Sequence, residues 1–277
     1  MSNKGVKGMK MYILDLGYME MDMNNMLFGM AMGVSVNQTP PCIWGKIPVW
    51  AVLIDHPEKG WILYDTGCAP DAMEDGWPDI AKIMSPMFQT EENHIVNQLA
   101  KVGITPADVK TVVLSHGHYD HAGGLKLFTE AEVIWAEGDF LHAMKHLYGD
   151  PNAPGMPFIR KELMDIHPKK ITFIDEAIEV APGVEAIPMS GHTPGVLALV
   201  VHLEGKSYIF PGDNVDLMAN LGDGVNFRAA GPAYDSLGWS KSLKQVVKLG
   251  KEYDAEIIAA HDMAQFEGLK KAPEFYA

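Results

Sequence analysis

The segment Ser115-His116-Gly117-His118-Tyr119-Asp120-His121-Ala122-Gly123-Gly124 sets four side chains able to ligate a metal within six residues. In an extended backbone His116 and His118 project to the same side, because side chains alternate with period two. Two imidazoles can then converge on one cation. Asp120 and His121 lie past a bend and can serve a second cation nearby. Gly117, Gly123 and Gly124 are expected to let the backbone turn tightly around such ions. A solvated histidine-rich loop is the alternative. The short apolar strand expected at 112–114 runs straight into the cluster and argues against it, and short His/Asp clusters are a metal signature.

A metal site needs further ligands, and three other places supply them by the same local logic. Ser190-Gly191-His192-Thr193-Pro194-Gly195 puts a histidine in a Gly/Pro turn at a strand edge. Phe210-Pro211-Gly212-Asp213-Asn214 puts a carboxylate just after an apolar strand. Ala259-Ala260-His261-Asp262 puts a histidine just after the last strand. The remaining histidines, His56, His94, His142, His146, His167 and His202, stand without such partners and read as solvated or structural.

The elements that must position these groups are strands and helices in mixed order. Apolar runs and turn signals predict strands at 10–16, 49–54, 61–64, 112–114, 132–135, 171–174, 185–187, 195–202, 207–210 and 256–259. Helices are expected at 91–102, capped by Thr90, at 137–147 and at 235–250, with a short turn opened by Thr105 and Pro106. Residues 148–157 read as a surface loop rich in Gly, Pro and Asn. Between about 18 and 46 lies a methionine-rich stretch, with Met19, Met21, Met23, Met26, Met30 and Met32 around Phe28. Its mixed period predicts a loop or lid. Methionine is adaptable and polarisable, so the stretch either fills irregular core gaps or walls an apolar site. No Ser/Gly-rich linker divides the chain, which predicts one domain over 1–277.

Composition narrows the partners. The net charge is −14, so a nucleic-acid backbone, which needs a basic face, is not expected as a partner. No stretch reaches the ~18 uninterrupted apolar residues of a membrane span. Asp15 breaks the run after Met11 too early for a signal-peptide core. Cys42 and Cys68 cannot make a disulfide framework, and a reduced, cytoplasmic protein is the expectation.

With those residues laid out, the chain resembles the metallo-β-lactamase superfamily, and within it the N-acyl homoserine lactonases and the related 4-pyridoxolactonase. The likeness runs from about Tyr12 to Tyr276. It rests on His116-x-His118-x-Asp120-His121, His192, Asp213 and His261, with Ile47-Pro48-Val49-Trp50 and Asp65-Thr66-Gly67 as further landmarks. The resemblance implies an α/β fold, an αββα sandwich of two mixed sheets face to face with helices outside. It implies one ion on His116, His118 and His192, a second on Asp120, His121 and His261, and Asp213 bridging them. Asp65 matches the carboxylate that orients a ligating imidazole. Zinc is the default pair of ions, with iron, manganese or cobalt fitting the same donors.

The activity so implied is opening of a lactone ring, or hydrolysis of a related small ester, by a hydroxide bridging the two ions. Asp120 is the expected proton shuttle. Met21, Met23, Met26 and Phe28 are candidates for the wall that holds the non-reacting part of the substrate, and the apolar N-terminal segment makes a homodimer an expectation. One position departs from the lactonase pattern. The lactonases usually carry a tyrosine three residues after the bridging aspartate, and here Asp216 stands there. Asp216 either points to solvent or marks a different substrate, with Tyr119 or Tyr234 as replacement hydroxyls. A thioesterase of the same superfamily would carry a basic, helical C-terminal extension, and the tail after His261 is short and not basic. A binding module that keeps the metals without turnover is the non-enzyme alternative.

Overall fold

The computed structural model describes residues 5–27, 35–39, 42–149, 156–224 and 233–277. Its strands are β1 (Lys10–Asp22), β2 (Trp44–His56), β3 (Gly60–Tyr64), β4 (Met87–Phe88), β5 (Val109–Val113), β6 (Glu132–Ala136), β7 (Lys170–Ile174), β8 (Ile178–Ala181), β9 (Val184–Met189), β10 (Val196–Leu203), β11 (Lys206–Phe210) and β12 (Ala255–Ile257). Its α-helices are α1 (Asp79–Met84), α2 (Ile95–Ala100), α3 (Tyr119–Ala122), α4 (Glu137–Gly149), α5 (Arg160–Leu163), α6 (Ser236–Glu252) and α7 (Met263–Glu267). The strands form a seven-stranded sheet, β4-β1-β2-β3-β5-β6-β7, and a five-stranded sheet, β12-β11-β10-β9-β8.

Period-two alternation sorts the core into layers. Met11, Ile13, Val52 and Ile54 of the larger sheet meet Leu197, Leu199, Val201 and Phe210 of the smaller one in a cluster between the sheets. Tyr12, Leu14, Ala51 and Leu53 point the other way, onto Ile95 and Leu99 of α2. Ala198, Val200 and Ile209 turn outward onto Trp239, Leu243 and Val246 of α6. The expected αββα layering is therefore present. β10 is buried along all eight residues, which explains why its sequence is an apolar run broken only by His202. Truncating a side chain such as Leu199 to alanine removes about 2–5 kcal/mol of stability. Among the described residues no helix is long and apolar enough to cross a membrane.

The structure corrects several expected elements. β1 continues to Asp22, so Met19 and Met21 belong to a strand and not to a loop. The alternation Tyr18-Met19-Glu20-Met21-Asp22 carries it. The pairing with β2 shifts between Asp15 and Tyr18, at Gly17 with φ 98°, and this bulge breaks the apparent period. The 91–102 helix is interrupted by His94, whose extended backbone (φ −62°, ψ 135°) divides a 3-10 turn at Glu91–Asn93 from α2. The last strand stops at Ile257, and β4, β8 and α1 had no distinct sequence signal. Phe28, Met30, Met32 and most of the 148–157 loop lie outside the described residues.

Candidate metal centre

β3 and β5 run parallel in the larger sheet; in the smaller one β9 and β11 both pair antiparallel with β10, and β12 runs parallel to β11. Each of these five strands is followed directly by a candidate group: Asp65, the His116–His121 segment, His192, Asp213 and His261. The two sheets are clipped together at this edge. The backbone N–H of Leu197 donates to the carbonyl of Ser115 at 2.7 Å, and the Tyr64 hydroxyl donates to the carbonyl of Leu197 at 2.8 Å. Polar loops at the ends of apolar strands thus converge on one place.

They form two candidate ligand sets, His116, His118, His192 and Asp213, and Asp120, His121, His261 and Asp213. Within each set, one donor atom per residue lies within 4.8 Å of every other. The Asp213 carboxylate is divided between them. Its Oδ2 lies 3.3 Å from His192 Nε2 and 3.6 Å from His116 Nε2. Its Oδ1 lies 3.1 Å from His121 Nε2 and 3.3 Å from His261 Nε2. Asp120 Oδ2 sits 3.5 Å from both His121 Nε2 and His261 Nε2. The bend expected after His118 is the start of α3, which puts Asp120 and His121 on the second set.

The donors are prepared for cations. His116 Nε2, His121 Nε2 and Asp213 Oδ1 are buried and have no hydrogen-bond partner among the described residues, although all three face this point. Their far sides are tied down. His121 Nδ1 donates to Asp65 Oδ2 at 2.8 Å, and His261 Nδ1 donates to the carbonyl of Pro48 at 3.0 Å, which turns each Nε2 inward. Burial and the neighbouring imidazoles hold His116 and His118 well below the ordinary histidine range, so both imidazoles are neutral. Burial would also lower His261, but Asp213 and Asp120 outweigh it and raise it to about 9. Asp213 is held well below the usual carboxylate range: burial opposes this, and His121, His261 and His116 overcome it. A carboxylate ionised in the interior and ringed by orphaned nitrogens fits two divalent ions, as the donor chemistry requires.

Supporting groups lock the loop. Asp65 adopts a left-handed backbone (φ 63°), and its Oδ1 accepts from the Ser115 N–H at 2.7 Å while Oδ2 holds His121. Asp65→Asn keeps the shape but weakens the hold on His121, and the account predicts about 10–100-fold weaker metal retention, read by competition with a chelator. The glycines act differently from expectation. Neither Gly117 nor Gly123 has a positive φ. They permit close approach instead: a Cβ would stand 2.8 Å from the Trp135 ring at Gly117 and 2.3 Å from the Ala69 nitrogen at Gly123. Asp139 had no sequence signal, because an acidic residue in the first turn of a helix is ordinary. It is fully buried, and its Oδ2 accepts from Gly117 N–H at 2.8 Å and from Trp135 Nε1 at 2.6 Å.

Beside the donors opens a cleft of about 600 Å³. His118, Asp120, His192, Asp213 and His261 reach it. Met21 and Met26 line it, with Ile47 and, from α1, Ile80 and Met84. Met23 instead packs at the edge of the core beneath the larger sheet. Tyr119 and Tyr234 also line the cleft. Asp216 does not face solvent: it is 2% exposed, its backbone carbonyl accepts from His261 N–H at 2.8 Å, and it is not among the cleft-lining residues. Burial, and then the charge of Asp213, push its carboxyl well above the usual range. His56 and His202 are structural, bonded to the carbonyl of Pro182 and to Ser207 and Glu185. His142, read from the sequence as solvated or structural, lines the cleft.

Behind α3, Glu162 is buried and accepts from Trp77 Nε1 at 2.8 Å; burial pushes its carboxyl from the usual 4.5 to about 8. The folded protein therefore keeps a proton that the unfolded chain releases between those values. The contribution of Glu162 to stability is full below about pH 4.5 and falls by up to ~1.4 kcal/mol per pH unit until about pH 8. Thermal unfolding at pH 5, 7 and 9 should show a shallower decline in Glu162→Gln than in the native protein; equal slopes contradict this.

Comparison with known proteins agrees with the geometry. Residues 44–261 match the family model of the metallo-beta-lactamase superfamily. The chain belongs to that superfamily. It is 30% identical to the N-acyl homoserine lactonase AiiB of Agrobacterium fabrum, over 97% of this chain and 99% of the relative. It is also 30% identical to the N-acyl homoserine lactonase AiiA of Bacillus thuringiensis subsp. kurstaki, over 96% of this chain and 98% of that one. Among solved structures it is similar to an N-acyl homoserine lactone hydrolase with the product N-hexanoyl-L-homoserine bound at the catalytic metal center. That similarity has a TM-score of 0.79 and 26% identity, covering 96% of this chain and 98% of the other. The seven residues that the resemblance implied as ligands fall in the two groups that could each hold a metal ion.

Proposed function

We propose that this protein is a dinuclear metal-dependent lactonase that opens an N-acyl homoserine lactone or a related small lactone. The observation that carries the reading is the division of one carboxylate, Asp213, between two complete ligand sets at the floor of a cleft partly lined by apolar side chains. The activity of the relatives supports the substrate class. Bound divalent ions, zinc by donor type, would supply an activated water and a polarised ester carbonyl.

The chain's own residues supply the rest. Met21, Met26 and Ile47 hold the apolar part of the substrate on the side of His261, whose Nδ1 is anchored to the carbonyl of Pro48. Asp120 both helps form the second ligand set through Oδ2 and reaches the cleft, so its other oxygen, Oδ1, can take a proton from the attacking water and return it to the departing ring oxygen. Asp65 fixes His121, and Asp139 fixes the backbone at Gly117, so the donors stay placed while the proton moves. Tyr119 is buried, which raises its pKa and keeps it a neutral hydroxyl beside the cleft.

Ring opening releases one acid equivalent, so a pH-indicator assay reads it directly. A panel of lactones, with thioester and β-lactam controls, should show turnover of lactones above both controls. Metal-loaded protein that hydrolyses no lactone and no ester contradicts the reading.

A further inference from the structure

The lining of the cleft is of two kinds. Met21, Met26 and Ile47 are apolar, and α1 adds Ile80 and Met84. His118 and His192, which also line it, carry a group of aromatic neighbours. Phe158 packs against His118 with ring centroids 4.8 Å apart, and His142 packs edge-on against the same Phe158 at 5.4 Å. Tyr234 packs edge-on against His142 at 5.0 Å, and its backbone N–H is tied to the carbonyl of His192 at 3.3 Å. His142 and Tyr234 thus flank the first ligand set, one aromatic ring away from His118.

His142 belongs to neither ligand set. It is half-buried in α4, held between two aromatic rings, and no described residue hydrogen-bonds to its ring nitrogens. Burial, with His146 and Lys145 nearby, lowers its pKa, so near neutral pH it is an uncharged imidazole with one donor and one acceptor. A donor–acceptor held between two rings in a cleft discriminates by hydrogen bonding once a bound substrate displaces water from it. A substrate lacking the matching group leaves it unpaired, which costs more than a lost methylene.

We propose that His142, supported by Tyr234, is the specificity-determining polar contact of the cleft, and that it selects lactones with a hydrogen-bonding substituent, such as an amide, next to the ring carbonyl over lactones with a bare alkyl substituent there. This rests on the lactonase reading. It assigns no chemistry to His142: the residue positions the substrate through a group that does not react.

The test uses metal-loaded full-length protein and two matched substrates, α-hexanoylamino-γ-butyrolactone and α-hexyl-γ-butyrolactone. His142→Phe keeps an aromatic ring between Phe158 and Tyr234 but removes both polar atoms. It should raise KM for the amide lactone about tenfold, with kcat changed less, and leave the alkyl lactone within about twofold. His142→Asn, which restores a donor and an acceptor, should recover part of the loss. Metal content and thermal unfolding are measured alongside. Equal losses on both substrates, with or without lost metal, overturn the assignment, as does no change on either. Native protein that turns over neither lactone overturns the functional reading itself, and this proposal with it.

Discussion

Asp213→Ala protein will retain less than one divalent ion per chain and will lose lactone turnover by more than about a thousandfold. The size follows from what the side chain does. Charge stabilisation by metal ions is worth several kcal/mol, at about 1.4 kcal/mol per tenfold in rate. Both of its oxygens are committed, Oδ2 to His116 and His192 and Oδ1 to His121 and His261, so one substitution damages both ligand sets. Removing any one histidine damages a single set. The prediction is therefore ordered: elemental analysis should find fewer ions in Asp213→Ala than in His192→Ala or His261→Ala. A protein that keeps two ions without Asp213 would show that its division between the sets is incidental.

Asp120→Asn is expected to separate holding from turnover. Asparagine keeps the shape and one oxygen but cannot take up a proton. Proton transfer by a positioned group contributes about 10²–10⁴-fold, and kcat should fall by that amount while the ring-opened product still binds, measured by calorimetry. If the chain were a binding module, binding would persist and there would be no turnover in the native protein to lose. Asp120 reaches the cleft and lies 3.5 Å from both His121 Nε2 and His261 Nε2. No other carboxylate among the described residues reaches both the cleft and the second ligand set except Asp213, whose oxygens are divided between the sets.

The residues of the two candidate ligand sets were legible because their signal is local. His116, His118, Asp120 and His121 stand together, and His192, Asp213 and His261 each follow an apolar strand, so strand ends were enough to gather them. The layered core was legible for a related reason, since alternation in β1, β2 and β10 assigns each residue to a face. What stayed hidden depends on partners far away in sequence. Met19 and Met21 read as loop because a bulge at Gly17 shifts the register, and only the pairing with β2 reveals the strand. Asp139 and Glu162 look like ordinary helical carboxylates until the fold buries them against Gly117 and Trp77. His142 sits on a helix with an unremarkable pattern, and its neighbour Phe158 follows a stretch of sequence with no periodicity. Asp216 shows the limit from the other side. Its departure from the lactonase pattern was visible, but its burial beneath His261 was not.

A dinuclear lactonase requires two ions in each chain, with Asp213 common to both ligand sets. Elemental analysis of protein never exposed to chelator, expressed as ions per chain and followed alongside lactone turnover, tests it most directly. The account predicts two divalent ions per chain, with full turnover reached only as the second is bound. One ion or fewer in fully active protein would contradict it.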